Sequence, residues 1–159
     1  MKKLGIYIHI PFCKKKCDYC DFISFENKET HIENYIKALK IEIDNIKIDK
    51  DKYLVNTIYI GGGTPSYIKS EYIVDILNTV KQKFNIMQNV ETTIEINPGT
   101  ITKDKLQEYY KNGINRLSFG LQTTNNQLLK SIGRIHTYEE FLENYKLARQ
   151  IGFKILMQT

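Results

Sequence analysis

Three cysteines near the start of the chain are spaced closely enough for their thiols to act together. Cys13, Cys17 and Cys20 are the only cysteines in the sequence. An odd number of thiols so close together cannot form a disulfide framework, so the pattern predicts a reduced, cytoplasmic protein. Three thiolates can ligate three irons of a [4Fe–4S] cluster and leave the fourth iron open to a further ligand. The alternative is a structural zinc site in which His9 is the fourth ligand.

A glycine-rich segment and an isolated carboxylate are further candidates for ligand binding. Residues 61–65, Gly-Gly-Gly-Thr-Pro, lack the Gly-Lys-Ser/Thr ending of a phosphate-binding loop, so by themselves they predict only a tight turn. Glu95 lies within a predicted strand, where burial of a carboxylate is costly unless a cation or a hydrogen-bond donor meets it. Glu95 is therefore the stronger of the two candidates.

The elements that must position these residues alternate between strand and helix along the chain. Such alternation is typical of parallel strands joined by right-handed crossovers. Apolar and β-branched runs predict strands at Leu4–Ile10, Asn56–Ile60, Glu91–Ile96, Ile114–Phe119 and Phe153–Met157. Capping residues predict helix starts at Thr30 with Glu33, Thr124 with Gln127 and Thr137 with Glu140, and glycines predict helix ends at Gly113, Gly133 and Gly152.

Each predicted strand has one apolar face and one more polar face. Tyr7, His9, Tyr59, Glu95 and Ser118 alternate with aliphatic or aromatic neighbours. A doubly wound sheet is covered by helices on both sides and needs two apolar faces, whereas a barrel lumen that contains a site explains one polar face. An antiparallel sheet with one wet face is the other alternative, and the intervening helices argue against it. The pattern favours a parallel α/β barrel.

The composition is that of a globular domain. The chain has 159 residues, of which 42% are hydrophobic and 26% are charged, and its formal net charge is +5. No apolar run approaches the roughly 18–20 residues that a membrane-spanning helix needs, and no low-complexity tract indicates disorder. The lysines are scattered instead of clustered. We therefore expect neither a transmembrane segment nor a nucleic-acid partner.

Five ordered motifs resemble those of the radical S-adenosylmethionine enzymes, specifically the oxygen-independent coproporphyrinogen III oxidase-like family. The first contains the three cysteines, the second the glycine-rich segment and the third Glu95. The motifs occupy residues 7–22, 61–66, 94–99, 116–122 and 133–136. The resemblance implies the barrel fold of the radical S-adenosylmethionine enzymes. This chain would then form a partial (β/α) barrel that stops in or after the fifth strand.

One position separates two branches of this family. In the oxidases the cysteine motif follows the pattern Cys-x3-Cys-x2-Cys-x-Cys, with a fourth cysteine two positions after the third. This sequence has Phe22 at that position. With Phe22 at this position, the motif resembles that of the haem chaperone branch. That branch is associated with binding haem and delivering it to respiratory haem proteins. The resemblance therefore implies haem as a candidate further ligand, although the sequence assigns none of its three histidines to haem. An oxygen-independent coproporphyrinogen III oxidase remains the alternative function.

The resemblance also implies a role for each residue that matches a family motif. Cys13, Cys17 and Cys20 would ligate the [4Fe–4S] cluster, from which an electron splits S-adenosylmethionine into methionine and a 5′-deoxyadenosyl radical. Positions that would contact S-adenosylmethionine are Tyr7, Tyr19, Gly62, Gly63, Thr64, Glu95, Gln122 and Arg134. For Arg134 the alternative is a solvated loop charge, because no strand pattern determines its position.

The family pattern continues beyond what this sequence contains. In the family the fifth strand leads to an acidic cofactor-binding residue and a Gly-Leu-Pro turn, and neither occurs here. We therefore expect residues 1–159 to be the N-terminal part of the core domain, with the remaining barrel units and a C-terminal domain absent. We also expect this fragment not to be active as an oxidase.

Overall fold

A computed structural model describes residues 1–158 of the chain. Its five strands are β1 (Lys2–Ile10), β2 (Tyr53–Gly62), β3 (Ile86–Ile96), β4 (Arg116–Phe119) and β5 (Ile155–Gln158). Its five α-helices are α1 (Glu29–Asn45), α2 (Ser70–Lys83), α3 (Lys103–Lys111), α4 (Asn126–Ser131) and α5 (Tyr138–Ile151). Among the helices of these residues, none has the length and apolarity needed to cross a membrane.

The five strands form one sheet in which every neighbouring pair is parallel. Their spatial order is the same as their order in the sequence, from β1 to β5. A doubly wound sheet reverses its strand order at a switch point, whereas a barrel adds each strand beside the one before it. The prediction of a partial parallel barrel is therefore confirmed.

The two faces of the sheet differ as the alternation predicted. Ile58, Ile60, Ile94 and Leu117 point away from the site and are at most 1% exposed, in a core shared with the helices. At the transfer values of side chains, burial of each such group stabilises the fold by about 1.5–3 kcal/mol. The opposite face carries the polar side chains, so the helices leave that side of the sheet free for a site.

Three helices end in the same hydrogen-bonded turn, which uses a left-handed glycine. Gly113, Gly133 and Gly152 have φ values of +92°, +78° and +121°. After α3, the Gly113 amide donates to the Tyr110 carbonyl and the Ile114 amide to the Tyr109 carbonyl, the pattern of a Schellman motif. The predicted helix ends are therefore confirmed.

The same turns shorten two of the predicted strands. The Ile114 amide is used to end α3, and the Phe153 amide donates to the Ala148 carbonyl at the end of α5. These residues belong to helix-ending turns, so the prediction that they begin strands is wrong. β4 begins at Arg116 and β5 at Ile155.

Two of the three predicted helix starts are also wrong. α1 begins at Glu29 and its N-cap is Lys28, so Thr30 lies inside the helix and does not cap it. Before α4, the Asn125 side chain, not that of Thr124, accepts from two backbone amides of the first turn. The capping box of Thr137 and Glu140 at the start of α5 is confirmed.

Candidate functional site

A cavity of about 350 Å³ lies at the carboxyl ends of the strands. Parallel barrels place their active sites at this end, because the loops after successive strands converge there. The residues that line it are Cys13, Lys15, Lys16, Cys17, Tyr19, Cys20, Phe22, Tyr59, Gly62, Gly63, Thr64, Pro65, Glu95, Ile96, Asn97, Ser118, Gly120, Gln122 and Arg134. The cavity brings together all three cysteines and every predicted cofactor-contacting residue except Tyr7.

The loop that carries the cysteines is tied back to the end of β1. Phe12 and Phe25 form an isolated parallel bridge, with the Cys13 amide donating to the Phe25 carbonyl at 3.0 Å and the Phe25 amide to the Pro11 carbonyl at 2.8 Å. The Cys20 amide donates to the Cys17 carbonyl at 3.0 Å, which forms a turn between these two cysteines. These bonds hold the thiols of a long loop at one side of the cavity.

Hydrogen-bond donors lie against two of the three sulfur atoms. Thr64 Oγ1 is 3.5 Å from Cys13 Sγ, and Arg134 Nη1 is 3.4 Å from Cys17 Sγ. All three cysteines are free thiols, and Cys13 is only 5% exposed. The thiolate is the form of cysteine that binds metal. Three such thiols at one cavity, without a fourth protein ligand, fit a [4Fe–4S] cluster with an open iron.

The geometry argues against the zinc alternative. Since a carbonyl only accepts, His9 Nε2 donates to the Ile23 carbonyl at 2.8 Å, and Nδ1 is hydrogen-bonded to the Tyr7 hydroxyl at 3.0 Å. Both nitrogens of His9 are therefore engaged. In the part of the chain that the structure describes, no three His, Cys, Asp or Glu side chains are arranged to hold one metal ion. Thiolates that ligate a cluster lie farther apart, because each binds a different iron.

The glycine-rich segment packs against the cysteine loop. Three of its amides are used within the protein: Gly62 N–H donates to Glu95, Gly63 N–H to the Ile10 carbonyl and Thr64 N–H to the Phe12 carbonyl. A Cβ on Gly63 would lie 2.9 Å from the sulfur of Cys13, so close packing requires the glycine.

The carboxylate of Glu95 is held by two donors. The Tyr59 hydroxyl donates to Oε1 at 2.8 Å, and the Gly62 amide donates to Oε2 at 3.1 Å. Burial, followed by the hydrogen bond to Glu95, raises the pKa of Tyr59 to about 12. Tyr59 therefore remains a protonated donor across the ordinary pH range, and it keeps the half-buried carboxylate oriented.

Arg134 reaches the cavity because of the turn that ends α4. Gly133 provides the left-handed residue of that turn, and the Arg134 amide donates to the Leu129 carbonyl at 2.9 Å. The guanidinium then donates to the Gly120 carbonyl at 2.6 Å as well as lying beside Cys17. The interpretation of Arg134 as a solvated loop charge is therefore wrong.

The remaining predicted residues lie at the edge of the cavity. Tyr7 is 58% exposed and outside the lining, where its ring stacks on Tyr59 with centroids 6.1 Å apart. Tyr19 lines the cavity. Burial raises the pKa of its phenol, and the nearby charge of Arg134 offsets part of that rise. Gln122 has a φ of +69°, a left-handed conformation that is uncommon for a residue other than glycine and that occurs often at functional sites.

Sequence reasoning missed several residues that line the cavity. Tyr59 and Ser118 were placed on the polar face by their alternation, and no role was assigned to them. Asn97 and Gly120 immediately follow β3 and β4, so their position at strand ends was an available signal. The contact between Tyr59 and Glu95 depends on the register between β2 and β3, which the sequence does not show.

Comparison with known proteins identifies the family of this chain. The family model described as the radical SAM superfamily matches residues 7–159. A curated relative from Buchnera aphidicola (subsp. Acyrthosiphon pisum), "Heme chaperone HemW", is 39% identical over 158 residues, which cover 96% of this chain and 42% of that protein. "Heme chaperone HemW" of Escherichia coli is 38% identical over 152 residues, covering 95% of this chain and 40% of that protein. This chain thus spans about two fifths of the length of these relatives.

A solved structure of a radical SAM enzyme has a similar fold. Coproporphyrinogen III oxidase (HemN) from Escherichia coli, described as a radical SAM enzyme, superposes with a TM-score of 0.87 at 29% identity, over 97% of this chain and 36% of that one. The parallel strands, the three thiols at the end of β1 and the family match over residues 7–159 lead to one assignment. The chain belongs to the radical SAM superfamily.

Proposed function

We propose that this chain binds a [4Fe–4S] cluster through Cys13, Cys17 and Cys20, and S-adenosylmethionine beside it. The observation that carries the proposal is one cavity of about 350 Å³ lined by three free thiols and by the family's cofactor motifs. A bound cluster would supply single electrons to the sulfonium of S-adenosylmethionine. Because these thiols must stay reduced to bind iron, we place this function in the cytoplasm.

Glu95 is suited to bind the ribose of S-adenosylmethionine. A carboxylate has about four acceptor positions, two on each oxygen. Tyr59 takes one position on Oε1 and the Gly62 amide takes one on Oε2. One position then remains on each oxygen, which matches two neighbouring hydroxyl donors. The vicinal diol of a ribose has that arrangement.

Arg134 and Gln122 are the candidates for the methionine end of the same ligand. Both line the cavity, Gln122 in the loop after β4 and Arg134 in the turn after α4. The planar guanidinium of Arg134 can bind a carboxylate through paired N–H donors. Its proximity to Cys17 brings that carboxylate beside the cluster ligands. The Gly62–Thr64 segment forms the neighbouring wall.

The wider function that we propose is that of a haem chaperone, which binds haem and delivers it to respiratory haem proteins. Two similar proteins named heme chaperone, at 39% and 38% identity, support this. Phe22 supports it too, because it stands where the oxidases have a further cysteine and it lines the cavity. The structural likeness to coproporphyrinogen III oxidase makes the oxidase the second candidate.

Anaerobic reconstitution of the chain with iron and sulfide tests the cofactor proposal. We expect one [4Fe–4S] cluster per chain, seen by metal analysis and, after reduction with dithionite, by electron paramagnetic resonance, and binding of S-adenosylmethionine by calorimetry. Glu95→Ala should weaken that binding about tenfold and leave the iron content intact. Zinc without iron would overturn the cluster assignment, and unchanged affinity in Glu95→Ala would return Glu95 to a structural role.

A second assay separates the two branches. The reconstituted chain is incubated anaerobically with coproporphyrinogen III, S-adenosylmethionine and a reductant, and protoporphyrinogen is followed. We expect no turnover, because Phe22 stands where the oxidases have a further cysteine, and we expect haem binding in full-length relatives instead, through segments outside residues 1–159. Catalytic turnover would instead assign the oxidase function.

A further inference from the structure

Tyr59 contacts Glu95 from the neighbouring strand, and none of the sequence motifs assigns it a role. Its hydroxyl lies 2.8 Å from Glu95 Oε1, and both residues line the cavity. We propose that Tyr59 is a positioning residue, which holds the Glu95 carboxylate in the orientation that accepts the ribose diol of S-adenosylmethionine. The inference rests on the proposed function, since it names the residue that prepares Glu95 for that ligand.

Space for this contact comes from Gly61, the next residue after Tyr59 on the same face of β2. A Cβ on Gly61 would lie 2.9 Å from Tyr59 Cε1 and 3.1 Å from both Glu95 Cδ and Oε2. Any other residue at this position would therefore press on both partners. The glycine allows the phenol and the carboxylate to meet along the floor of the cavity.

The Tyr59 hydroxyl restricts a side chain that otherwise has free torsions. The Gly62 amide holds only Oε2, and one hydrogen bond leaves a carboxylate able to pivot about that oxygen. The bond from Tyr59 holds Oε1 as well, so both remaining acceptor positions keep a defined direction. A ligand that needs both positions gains affinity, because the protein does not lose that rotational freedom on binding.

The test uses the cluster-reconstituted chain and S-adenosylhomocysteine, a stable analogue, together with its 2′-deoxy counterpart. The variants are Tyr59→Phe, Glu95→Gln and the double variant, and calorimetry measures each affinity. Tyr67→Phe is the matched control, since its hydroxyl also donates to a glutamate, Glu29, but outside the cavity. In each apo-protein that retains Tyr59, the carbon-13 signal of its Cζ reports whether the hydrogen bond from the Tyr59 hydroxyl is present.

We expect Tyr59→Phe to bind S-adenosylhomocysteine about fivefold more weakly and to lose most of the preference over the 2′-deoxy compound, as expected for one hydrogen bond to a charged group. The Tyr59 and Glu95 effects should not add in the double variant, because both act through one carboxylate. Glu95→Gln should shift the Tyr59 Cζ signal, and Tyr67→Phe should not. Gly61→Ala keeps both the Tyr59 hydroxyl and the Glu95 carboxylate but crowds them. This variant should also lose the preference for S-adenosylhomocysteine over the 2′-deoxy compound.

The outcomes distinguish this inference from the proposed function. If Glu95→Gln weakens binding and Tyr59→Phe does not, Tyr59 has no positioning role, while the ligand site remains supported. An equal loss for both compounds in Tyr59→Phe would indicate general distortion and would also overturn the inference. If Glu95→Gln leaves the affinity unchanged, the proposed ribose site fails, and the role of Tyr59 toward it fails with it.

Discussion

Arg134 Nη1 lies 3.4 Å from the sulfur of Cys17, although 117 positions separate the two residues in the sequence. Two loops create this contact. The turn after α4 presents Arg134, and it also anchors the cysteine loop, since the Asp18 amide donates to the Ile132 carbonyl at 3.3 Å and Gly133 packs against Asp18. The same turn therefore positions a cation and a thiol at one wall of the cavity.

Replacing Arg134 by lysine keeps the positive charge and removes the planar fork. We expect Arg134→Lys to retain its iron content and to bind S-adenosylmethionine about tenfold more weakly, because a single ammonium cannot donate in parallel to a carboxylate. Calorimetry on the reconstituted chain measures the change. Arg149→Lys, which alters an arginine that donates to carbonyls at the end of α5, is the control. Equal affinity in Arg134→Lys and the unaltered chain would contradict a carboxylate-binding role.

Loss of one thiol should abolish cluster binding. In Cys17→Ala only two irons would have protein ligands, so we expect reconstitution to give no stable [4Fe–4S] cluster. Iron and sulfide analysis with electron paramagnetic resonance measures this. Lys14→Ala changes an exposed residue of the same loop and should keep the full iron content. A complete cluster in Cys17→Ala would show that Cys17 is not a ligand.

A methyl group on Gly63 should disturb the cluster site directly. The added Cβ would lie 2.9 Å from Cys13 Sγ and 3.0 Å from the Phe12 carbonyl, neither of which can yield easily. We expect Gly63→Ala to lower the free energy of unfolding by about 1–3 kcal/mol and to reduce iron content. Gly113→Ala introduces strain at a φ of +92°, far from the cysteines, so it should lose stability and keep its iron. Normal iron content in Gly63→Ala would contradict the packing argument.

His136 should make the stability of the fold depend on pH. It is 4% exposed, and burial, followed by the charge of Arg134, lowers its pKa from 6.5 to about 4. Between these values the unfolded chain binds the proton and the folded chain does not. The stabilisation is therefore complete above about pH 6.5 and is lost as the pH falls toward 4, by about 2 kcal/mol at pH 5.

Urea unfolding at pH 7.5 and pH 5 measures that loss. His136→Asn should show a smaller decrease between the two pH values than the unaltered chain. His31→Asn, which changes an exposed histidine in the first turn of α1, should retain the full decrease. An identical decrease in His136→Asn would mean that other groups account for the pH dependence.

Much of the site follows from local sequence patterns. Cys13, Cys17 and Cys20 share one loop because they are close in the sequence, and alternation along β2 and β3 is enough to place Tyr59 and Glu95 on one polar face. The glycines that end three helices were predictable, since the left-handed turn excludes most other residues. These features depend on neighbouring residues and on a strand period of two, which the sequence itself contains.

Other features depended on the tertiary structure. Tyr67 donates to Glu29 at the start of α1 from 38 positions away, and no local pattern shows that contact. Three contacts each join segments that the sequence separates by 14 to 117 positions: the hydrogen bond from His9 to the Ile23 carbonyl, the contact of Arg134 with Cys17 and the hydrogen bond from Tyr59 to Glu95. Such contacts require a particular strand register and loop path. Register and loop path result from the packing of the whole core, so no local pattern of residues specifies them.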